Sequence, residues 1–313
     1  MLKRFARAGF ASIAVAALAA CGGDSSAEGG LTGSVEIDGS STVFPIMEAV
    51  VEDFQIQNRG VRVTVGISGT GGGFRRFCAG EIDIADASRP VKDSEREECA
   101  AAGIEFSEIP IAWDGLSVIV SPENDWATCM TVEELRRIWE PGSTVATWAD
   151  VRAGFPAEPI TLYGPGTSSG TFDYFTEAIV GEGGASRADY QASEDDNVLV
   201  QGVSGDSHSL GYFGYAYYSE NQDRLNVVQI DSGNGCVGPS QVTIEDGTYA
   251  PLSRPLYIYV NHASAQRPEV GAFLDYVIEF GPEVIPTTGY IALTTAQYAE
   301  QAGVLAGLTG MDH

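Results

Sequence analysis

Apolar residues along the chain fall into short runs of two kinds. Runs of β-branched and aliphatic residues that alternate with polar residues, such as residues 61–65, predict strands. Runs in which apolar residues recur with a period near 3.6, such as residues 45–57, predict amphipathic helices. The predicted strands cover residues 35–37, 61–65, 82–85, 116–120, 160–163, 210–218 and 256–260. The predicted helices cover residues 45–57, 74–80, 93–103, 132–139, 171–180 and 270–280.

Strands and helices alternate along most of the chain. This order predicts an α/β fold with mixed or parallel sheets that carry helices on both faces. The chain has 313 residues, and at about 100–200 residues per domain that length predicts two domains with their own cores.

The first twenty residues predict a targeting signal. Three basic residues among the first seven precede an apolar run at residues 8–17, which is too short to span a bilayer. Small residues lead to Cys21, and residues 21–31 form a flexible tether of Gly, Ser and acids. The pattern resembles a bacterial lipobox, so residues 1–20 are predicted to be a lipoprotein signal peptide and Cys21 to carry lipid on the periplasmic or outer face of the membrane. An ordinary signal peptide that ends Ala-x-Ala is the alternative.

The net charge narrows the choice of partners. With 43 acidic and 17 basic residues, the chain carries −26 at pH 7. A phosphate backbone and an anionic lipid surface both require basic patches, so this charge argues against nucleic acid and against electrostatic docking on a membrane. The excess of acids is predicted to be solvated surface.

Four cysteines remain beside Cys21, and an exported protein meets an oxidising compartment. Three pairings are possible, of which we favour Cys78 with Cys99 and Cys129 with Cys236. Since no CxxC pair occurs and only three His are present, a zinc site is not expected.

Three turns, each between a strand and a helix, carry the candidate chemistry. They cover residues 38–45, 66–73 and 164–171, and each is dense in Gly, Ser and Thr. A helix N-terminus presents free N–H groups, Gly permits close approach, and hydroxyls add neutral donors. One such turn is usually a plain helix cap, but three together predict a site for a small oxyanion. Arg89 follows a short strand and is the candidate charge partner, since Arg binds oxyanions in a planar, bidentate manner.

At these residues a resemblance becomes specific. The set of motifs is similar to that of the phosphate-binding lipoproteins of Pst-type ABC importers, in the periplasmic binding protein superfamily, over about residues 33–300. The motifs are Gly-Ser-Ser-Thr-Val-Phe-Pro (39–45), Ser-Gly-Thr-Gly-Gly-Gly (68–73), Asp-Ala-Ser-Arg-Pro (86–90), Ala-Trp-Asp-Gly-Leu-Ser-Val-Ile-Val (112–120) and Gly-Thr-Ser-Ser-Gly-Thr-Phe-Asp-Tyr-Phe (166–175).

The resemblance implies a type II binding-protein fold, with two α/β domains, a two-stranded hinge and phosphate in the cleft. Residues 32–116 and 255–313 would form domain I, and residues 117–254 domain II. The protein would close on phosphate and deliver it to a membrane permease driven by a cytoplasmic ATPase. We expect a monomer without cofactor, metal or catalytic activity. Sulfate, arsenate and molybdate are alternative ligands.

Carried over residue by residue, the resemblance implies phosphate contacts from both domains. They would come from Ser41, Thr42, Val43, Ser68, Gly69, Thr70, Ser88, Arg89, Ser169, Gly170 and Thr171.

The chain departs from the family pattern at two places. Well-known members carry Asp where this chain has Arg89, and Arg where it has Pro165. That Asp is credited with accepting the proton of monohydrogen phosphate, so its loss puts the discrimination against sulfate in doubt. Asp173 and the cluster formed by residues 195–197 are candidate acceptors.

A serine hydrolase is the rival interpretation. Residues 166–170 satisfy G-x-S-x-G between a strand and a helix, which would make Ser168 a nucleophile. A triad would need His208 or His262 as base, and neither stands in a motif typical of that role.

Overall fold

The computed structural model describes residues 30–309. The predicted signal peptide, Cys21 and nearly all of the predicted tether lie outside the described residues. Within the described residues, no helix combines the length and the apolar character that crossing a bilayer requires.

Strands and helices alternate in the first half of the described chain, as the sequence pattern predicts. The strands are β1 (Gly33–Gly39), β2 (Val61–Ile67), β3 (Ile84–Ala87), β4 (Phe106–Val120), β5 (Cys129–Thr131), β6 (Thr161–Gly164), β7 (Gln191–Ala192), β8 (Ser209–Gly214), β9 (Asn226–Val227), β10 (Gln229–Asp231), β11 (Cys236–Val237), β12 (Ser253–Asn261) and β13 (Ile291–Ala292). The helices are α1 (Phe44–Gln57), α2 (Thr70–Cys78), α3 (Asp93–Ala101), α4 (Val132–Trp139), α5 (Trp148–Val151), α6 (Gly170–Phe175), α7 (Asp196–Ser204), α8 (Tyr215–Glu220), α9 (Gln241–Glu245), α10 (His262–Ala265), α11 (Pro268–Val284) and α12 (Thr295–Thr309). A π-helical turn, Thr176–Val180, continues α6, and a 3-10 turn, Ile285–Thr288, follows α11.

The fold is mixed α/β. One large sheet has the strand order β2-β1-β3-β12-β4-β8-β6-β7, with β13 and β9 also paired to β4, and a small sheet has the order β11-β10-β5. The pairs β1·β2, β1·β3 and β6·β8 are parallel, as the alternating pattern predicts. The long strands β4 and β12 run antiparallel to each other, so the sheet is not parallel throughout.

The buried apolar side chains form separate clusters on the two halves of this sheet. Two clusters draw their fully buried members from residues 35–112 and 256–305, and two others draw theirs from residues 116–252. We call these halves lobe 1 and lobe 2. The clusters divide close to the predicted domain boundaries, while independent movement of the lobes stays a prediction.

Among the strands described, β4 carries buried residues of both lobes, and β12 begins directly after Leu252 of lobe 2 and continues into lobe 1. Asp114 of β4 lies directly opposite Arg254 of β12 in their antiparallel register. Both residues stand where the clusters divide, because Ala112 and Leu256 belong to lobe 1 whereas Leu116 and Leu252 belong to lobe 2. The Asp114–Arg254 pair therefore marks the boundary of the lobes.

Both predicted disulfides are confirmed. Cys78 of α2 is bonded to Cys99 of α3, and Cys129 of β5 is bonded to Cys236 of β11. The first bond ties two helices of lobe 1 together, and the second ties the two outer strands of the small sheet.

The strand predicted furthest beyond its observed end is wrong in its second half. The strand predicted over residues 210–218 ends at Gly214, and the next six residues form α8. The run of aromatic residues favours a strand locally. Tyr212 and Phe213 are fully buried, whereas α8 has no buried residue, so an exposed helix replaces the strand after Gly214.

We expect Phe54→Ala in α1 to lower the free energy of unfolding by about 3–5 kcal/mol. Phe54 is 1% exposed and meets the rings of Phe273 and Tyr276 edge-on at 5.3 and 5.4 Å between centroids, so its loss would leave a cavity in lobe 1. Denaturant unfolding measures the change. Ile56→Ala is the control, because Ile56 lies two residues further along the same helix and is 62% exposed. Equal losses in the two variants would contradict the packing described here.

Candidate functional site

The first predicted turn lies where β1 ends and α1 begins. Gly39 approaches β3 so closely that a Cβ on it would lie 2.1 Å from the carbonyl oxygen of Asp86, so only Gly fits there. The backbone N–H of Ser40 donates to that carbonyl oxygen at 3.1 Å. The N–H of Val43 donates to the carbonyl oxygen of Ser40, and the side chain of Val43 is buried in the core. The turn therefore presents Ser41 and Thr42 toward the neighbouring elements.

The carboxyl groups of Asp38 and Asp86 lie next to this turn on its buried side. Asp86 is fully buried, and neither of its carboxyl oxygens has a hydrogen-bond partner among the described residues. Burial raises the pKa of Asp86 well above its usual range, and the nearby charge of Asp38 raises it further. Asp38 itself pairs with Arg76 of α2. Burial and the neighbouring carboxyl group of Asp38 therefore both disfavour the charged form of Asp86 next to the turn.

The second predicted turn leads into α2 and is tied to the strand β3. The backbone N–H of Ser88 donates to Thr70 Oγ1 at 3.2 Å, and the two hydroxyl oxygens lie 3.4 Å apart. Ser68 is exposed, and its N–H donates to the carbonyl oxygen of Gly39. Thr70 and Ser88 are thus held together next to the first turn.

The third predicted turn brings lobe 2 against lobe 1. Ser169 caps α6, because its Oγ accepts the N–H of Thr171 at 3.2 Å. A Cβ on Gly170 would lie 2.8 Å from Thr42 Oγ1 and 2.9 Å from Thr42 Cα. The first and third turns are therefore in contact, and the contact requires a residue without a side chain.

A cavity of about 220 Å³ lies between these turns. Lobe 1 contributes Ser40, Ser41, Thr42, Gly69, Thr70, Ser88 and Arg89 to its lining, lobe 2 contributes Asp173, Tyr174 and Glu177, and β12 contributes Arg254. A larger hollow of about 400 Å³ between α11 and α12 has apolar and acidic walls, lined by Asp275, Ile278, Glu279, Ala302 and Leu305, and offers no base to an anion.

Six of the eleven predicted contact residues line this cavity: Ser41, Thr42, Gly69, Thr70, Ser88 and Arg89. The other five predicted residues lie beside the cavity in the same three turns. Each of them forms one of the hydrogen bonds described above or is packed against the neighbouring turn. They are Val43, Ser68, Ser169, Gly170 and Thr171. Lobe 2 reaches the cavity through the side chains of α6 and the π-helical turn, and direct contacts from the third turn itself stay a prediction.

Arg254 is the residue that sequence reasoning missed. Its Nη2 donates to Thr42 Oγ1 at 3.0 Å, its Nε donates to Asp114 Oδ2 at 3.1 Å, and its guanidinium carbon lies 3.5 Å from the centre of the Tyr174 ring. One signal pointed to it. Bases are scarce in this acidic chain, and Arg254 stands where the chain was expected to return through the hinge.

Arg89, the predicted charge partner, does line the cavity but is paired with an acid. Its Nη1 and Nη2 donate to the two carboxylate oxygens of Glu95 at 2.9 and 2.7 Å. Burial acts to raise the pKa of Glu95, but the hydrogen bonds from Arg89 and from the N–H of Lys92 outweigh it and hold that pKa below its usual range. Arg89 and Glu95 therefore form a charge-compensated pair.

Two further carboxyl groups, those of Asp173 and Glu177, face the cavity from lobe 2. Partial burial raises the pKa of Asp173, and Glu177 raises it further while Arg254 opposes the shift. Asp195, the other candidate acceptor region, caps α7 through its Oδ1, which accepts the N–H of Asn197 at 2.9 Å. Asp173 is thus the candidate acceptor that the structure brings to the cavity.

The arrangement that a serine hydrolase requires is not assembled. Ser168 is exposed, and its backbone N–H donates to Glu194 at 3.3 Å. His208 is hydrogen-bonded to Ser207, and His262 to Ser107, so neither ring is bonded to Ser168. Over residues 30–309, no three His, Cys, Asp or Glu side chains are grouped so as to hold a metal ion.

Comparisons with known proteins point in one direction. A sequence profile described as a PBP superfamily domain matches residues 24–279. The chain is 51% identical over 268 residues to Protein SphX of Synechocystis sp., which covers 85% of this chain and 80% of the relative. It is 39% identical over 298 residues to the phosphate-binding protein PstS of Staphylococcus saprophyticus, which covers 94% of this chain and 92% of the relative.

The fold is also similar to that of a solved structure. A crystal structure described as a possible phosphate binding protein from Planctomyces limnophilus superposes with a TM-score of 0.86 at 47% identity, covering 89% of this chain and 99% of that chain. The likeness extends over both lobes.

We expect Gly170→Ala to lower the free energy of unfolding by about 1–3 kcal/mol, because the added methyl group would be forced against the backbone of Thr42. Denaturant unfolding measures the change. Gly303→Ala in α12 is the matched control, because no atom lies within 4 Å of a Cβ at that position. Alanine has the higher helix propensity, so this control is expected to gain about 0.5–1 kcal/mol. A gain in both variants would contradict the contact between the first and third turns.

Proposed function

Because the chain belongs to the PBP superfamily, we propose that it captures inorganic phosphate in the cavity between its lobes and delivers it unchanged to an ABC importer. The observation that carries the proposal is the convergence of two hydroxyl-bearing turns, α6 and two guanidinium groups on one small cavity. Neutral donors and planar cations are the groups that recognise a tetrahedral oxyanion. The names of the PstS relative and of the Planctomyces limnophilus protein support phosphate as the ligand.

The contact residues predicted from the sequence remain part of the proposal. The hydroxyls of Ser41, Thr42, Thr70 and Ser88 come first, since they line the cavity. The side chain of Arg254 joins them. Ser169, Gly170 and Thr171 would contribute from the third turn, which already contacts Thr42 through Gly170.

The charges of the cavity support phosphate over sulfate. Arg89 is paired with Glu95 and Arg254 with Asp114, while Asp173 lines the cavity without an ion-pair partner among the described residues. An ionised carboxylate repels an anion unless the anion carries a proton that it can donate. Phosphate retains a proton at neutral pH and sulfate does not. Asp173 is therefore proposed to accept the ligand's proton.

Export to an extracytoplasmic compartment and a lipid anchor at Cys21 belong to the same proposal. The two disulfides support an oxidising compartment. A tethered receptor with a cleft would then transfer its ligand to a permease in the same membrane.

Phosphate is expected to raise the midpoint of thermal unfolding of the purified protein, since a ligand that binds only the folded form stabilises it. Titration calorimetry then gives the affinity, and arsenate, molybdate and sulfate are measured in parallel. Ser168→Ala is the control, and it should bind phosphate as the wild type does because Ser168 lies outside the cavity lining. If another oxyanion raises the unfolding midpoint and phosphate does not, the cavity is assigned to that other ion. Turnover of a chromogenic phosphate or carboxylate ester that Ser168→Ala abolishes would favour the hydrolase.

We expect Asp173→Asn to narrow the preference for phosphate over sulfate at pH 7 by about tenfold, or roughly 1.4 kcal/mol. Sulfate requires Asp173 to be protonated, so sulfate affinity in the wild type should rise as the pH falls through the raised pKa of Asp173. In the variant that rise should be smaller, because the side chain at position 173 no longer carries a carboxyl group. Calorimetry with both anions between pH 5 and pH 8 measures the effect.

Asp223→Asn serves as the charge-matched control for this variant, because Asp223 is an exposed acid in the segment after α8. If Asp173→Asn binds sulfate with the same affinity as the wild type at every pH, Asp173 does not discriminate between the anions.

A further inference from the structure

The two arginines of the cavity differ in how far their donors are already engaged. Arg89 Nη1 donates both to Glu95 and to the carbonyl oxygen of Pro90, and Arg89 Nη2 donates to Glu95. Three of its five N–H groups are thus taken, and its charge faces a carboxylate bound at two points. Little of the Arg89 charge is left for a ligand.

Arg254 is engaged at two points, and only one of them is a carboxylate. Its Nε is bonded to Asp114 and one N–H of its Nη2 to the Thr42 hydroxyl. Within residues 30–309, both N–H groups of Nη1 and the second N–H of Nη2 have no protein acceptor. Arg254 therefore offers three donors where Arg89 offers two, and it is held by a single ion-pair hydrogen bond.

Contacts within the protein fix the orientation of the Arg254 guanidinium. Its plane is supported by the Tyr174 ring at 3.5 Å, and the Tyr174 hydroxyl donates to the carbonyl oxygen of Pro251 at 2.9 Å. Tyr174 is 5% exposed, so the ring cannot turn away without disturbing the core of lobe 2. A planar cation held on an aromatic face loses little freedom when it binds an anion.

The position of Arg254 links it to both lobes. Thr42 belongs to the first turn of lobe 1, Tyr174 belongs to α6 of lobe 2, and Asp114 lies opposite on the strand that runs through both. Among the cavity-lining side chains of residues 30–309, no other one is hydrogen-bonded to or stacked on lobe 1, lobe 2 and β4 together.

Resting on the proposed function, we propose that Arg254 is the main anion-binding cation of this site and the residue that couples anion binding to the relative position of the lobes. Asp114 and Tyr174 position its guanidinium, and the free Nη donors bind the anion. An anion held there also contacts the turn that contains Thr42 and the helix α6. Anion binding therefore favours the relative position of the lobes in which this turn and this helix both lie next to the Arg254 guanidinium. Arg89, neutralised by Glu95, forms the wall of the cavity and has the lesser part in binding.

The test compares arginine variants by calorimetry with inorganic phosphate. Arg254→Gln should weaken binding about ten- to a hundredfold, the effect of losing a charge-assisted hydrogen bond to the ligand. Arg254→Lys keeps the charge but loses the planar fork, so its affinity should fall between those of the wild type and Arg254→Gln. Arg89→Gln should lose less than Arg254→Gln. Arg224→Gln, on the exposed surface of lobe 2, controls for the change in net charge.

Small-angle X-ray scattering of the same proteins tests the coupling. Phosphate should reduce the radius of gyration of the wild type, and Arg254→Gln at saturating phosphate should keep the unliganded value. If Arg254→Gln does not fold, Arg254→Lys provides the test, because its ammonium group still pairs with Asp114. Wild-type phosphate affinity together with wild-type compaction in Arg254→Lys would overturn the proposal. So would a larger loss of affinity in Arg89→Gln than in Arg254→Gln. A wild type that binds no phosphate would instead refute the proposed function.

Discussion

The pairing of Asp114 with Arg254 across β4 and β12 is the interaction on which the site depends. Strand β4 runs through both lobes, β12 begins directly after Leu252 of lobe 2, and the pair stands where one set of buried clusters gives way to the other. Burial raises the pKa of Asp114, while the charge of Arg254 and the hydrogen bond between them hold it down. A buried carboxylate without its cation would be strongly destabilising, so each partner fixes the other at the boundary between the lobes.

This constraint explains how a chain with a net charge of −26 can build an anion site. Long-range repulsion is screened over about 8–10 Å in physiological salt, so the local groups decide the binding. The cavity wall combines hydroxyls and Gly-rich backbone with two guanidinium groups, and burial raises the pKa of Asp86, the acid next to the first turn, which disfavours its charged form. Paired carboxylates, Glu95 and Asp114, hold the arginines in place. In the proposed function, the carboxyl groups of lobe 2 that line the cavity would select among anions by whether the anion brings a proton.

The sequence predicted the parts of this structure that depend on local chemistry. Helix α4 has the predicted bounds because Thr131 and Glu134 cap its first turn reciprocally. The turns rich in Gly, Ser and Thr were predictable for the same reason, since strand, turn and helix start are neighbours in the chain. The helices α8 and α12 were not predicted, because an aromatic run and a small-residue segment have no decisive period. Arg254 was not predicted as a site residue, because Thr42, Asp114 and Tyr174 lie 212, 140 and 80 positions away.

The contacts of Arg254 and Arg89 explain in physical terms how this chain departs from the family pattern. Pro165 stands where well-known members carry a base, so the third turn has none of its own. The structure brings a guanidinium to that lobe by another route, since Arg254 of β12 lies on the face of Tyr174 in the helix that this turn begins. Arg89, in the position of an acid, is matched by Glu95, six residues further along the chain in α3, which returns the local charge close to neutral. A motif position alone therefore does not reveal the charge at a site, because the partner that sets that charge is supplied by the fold.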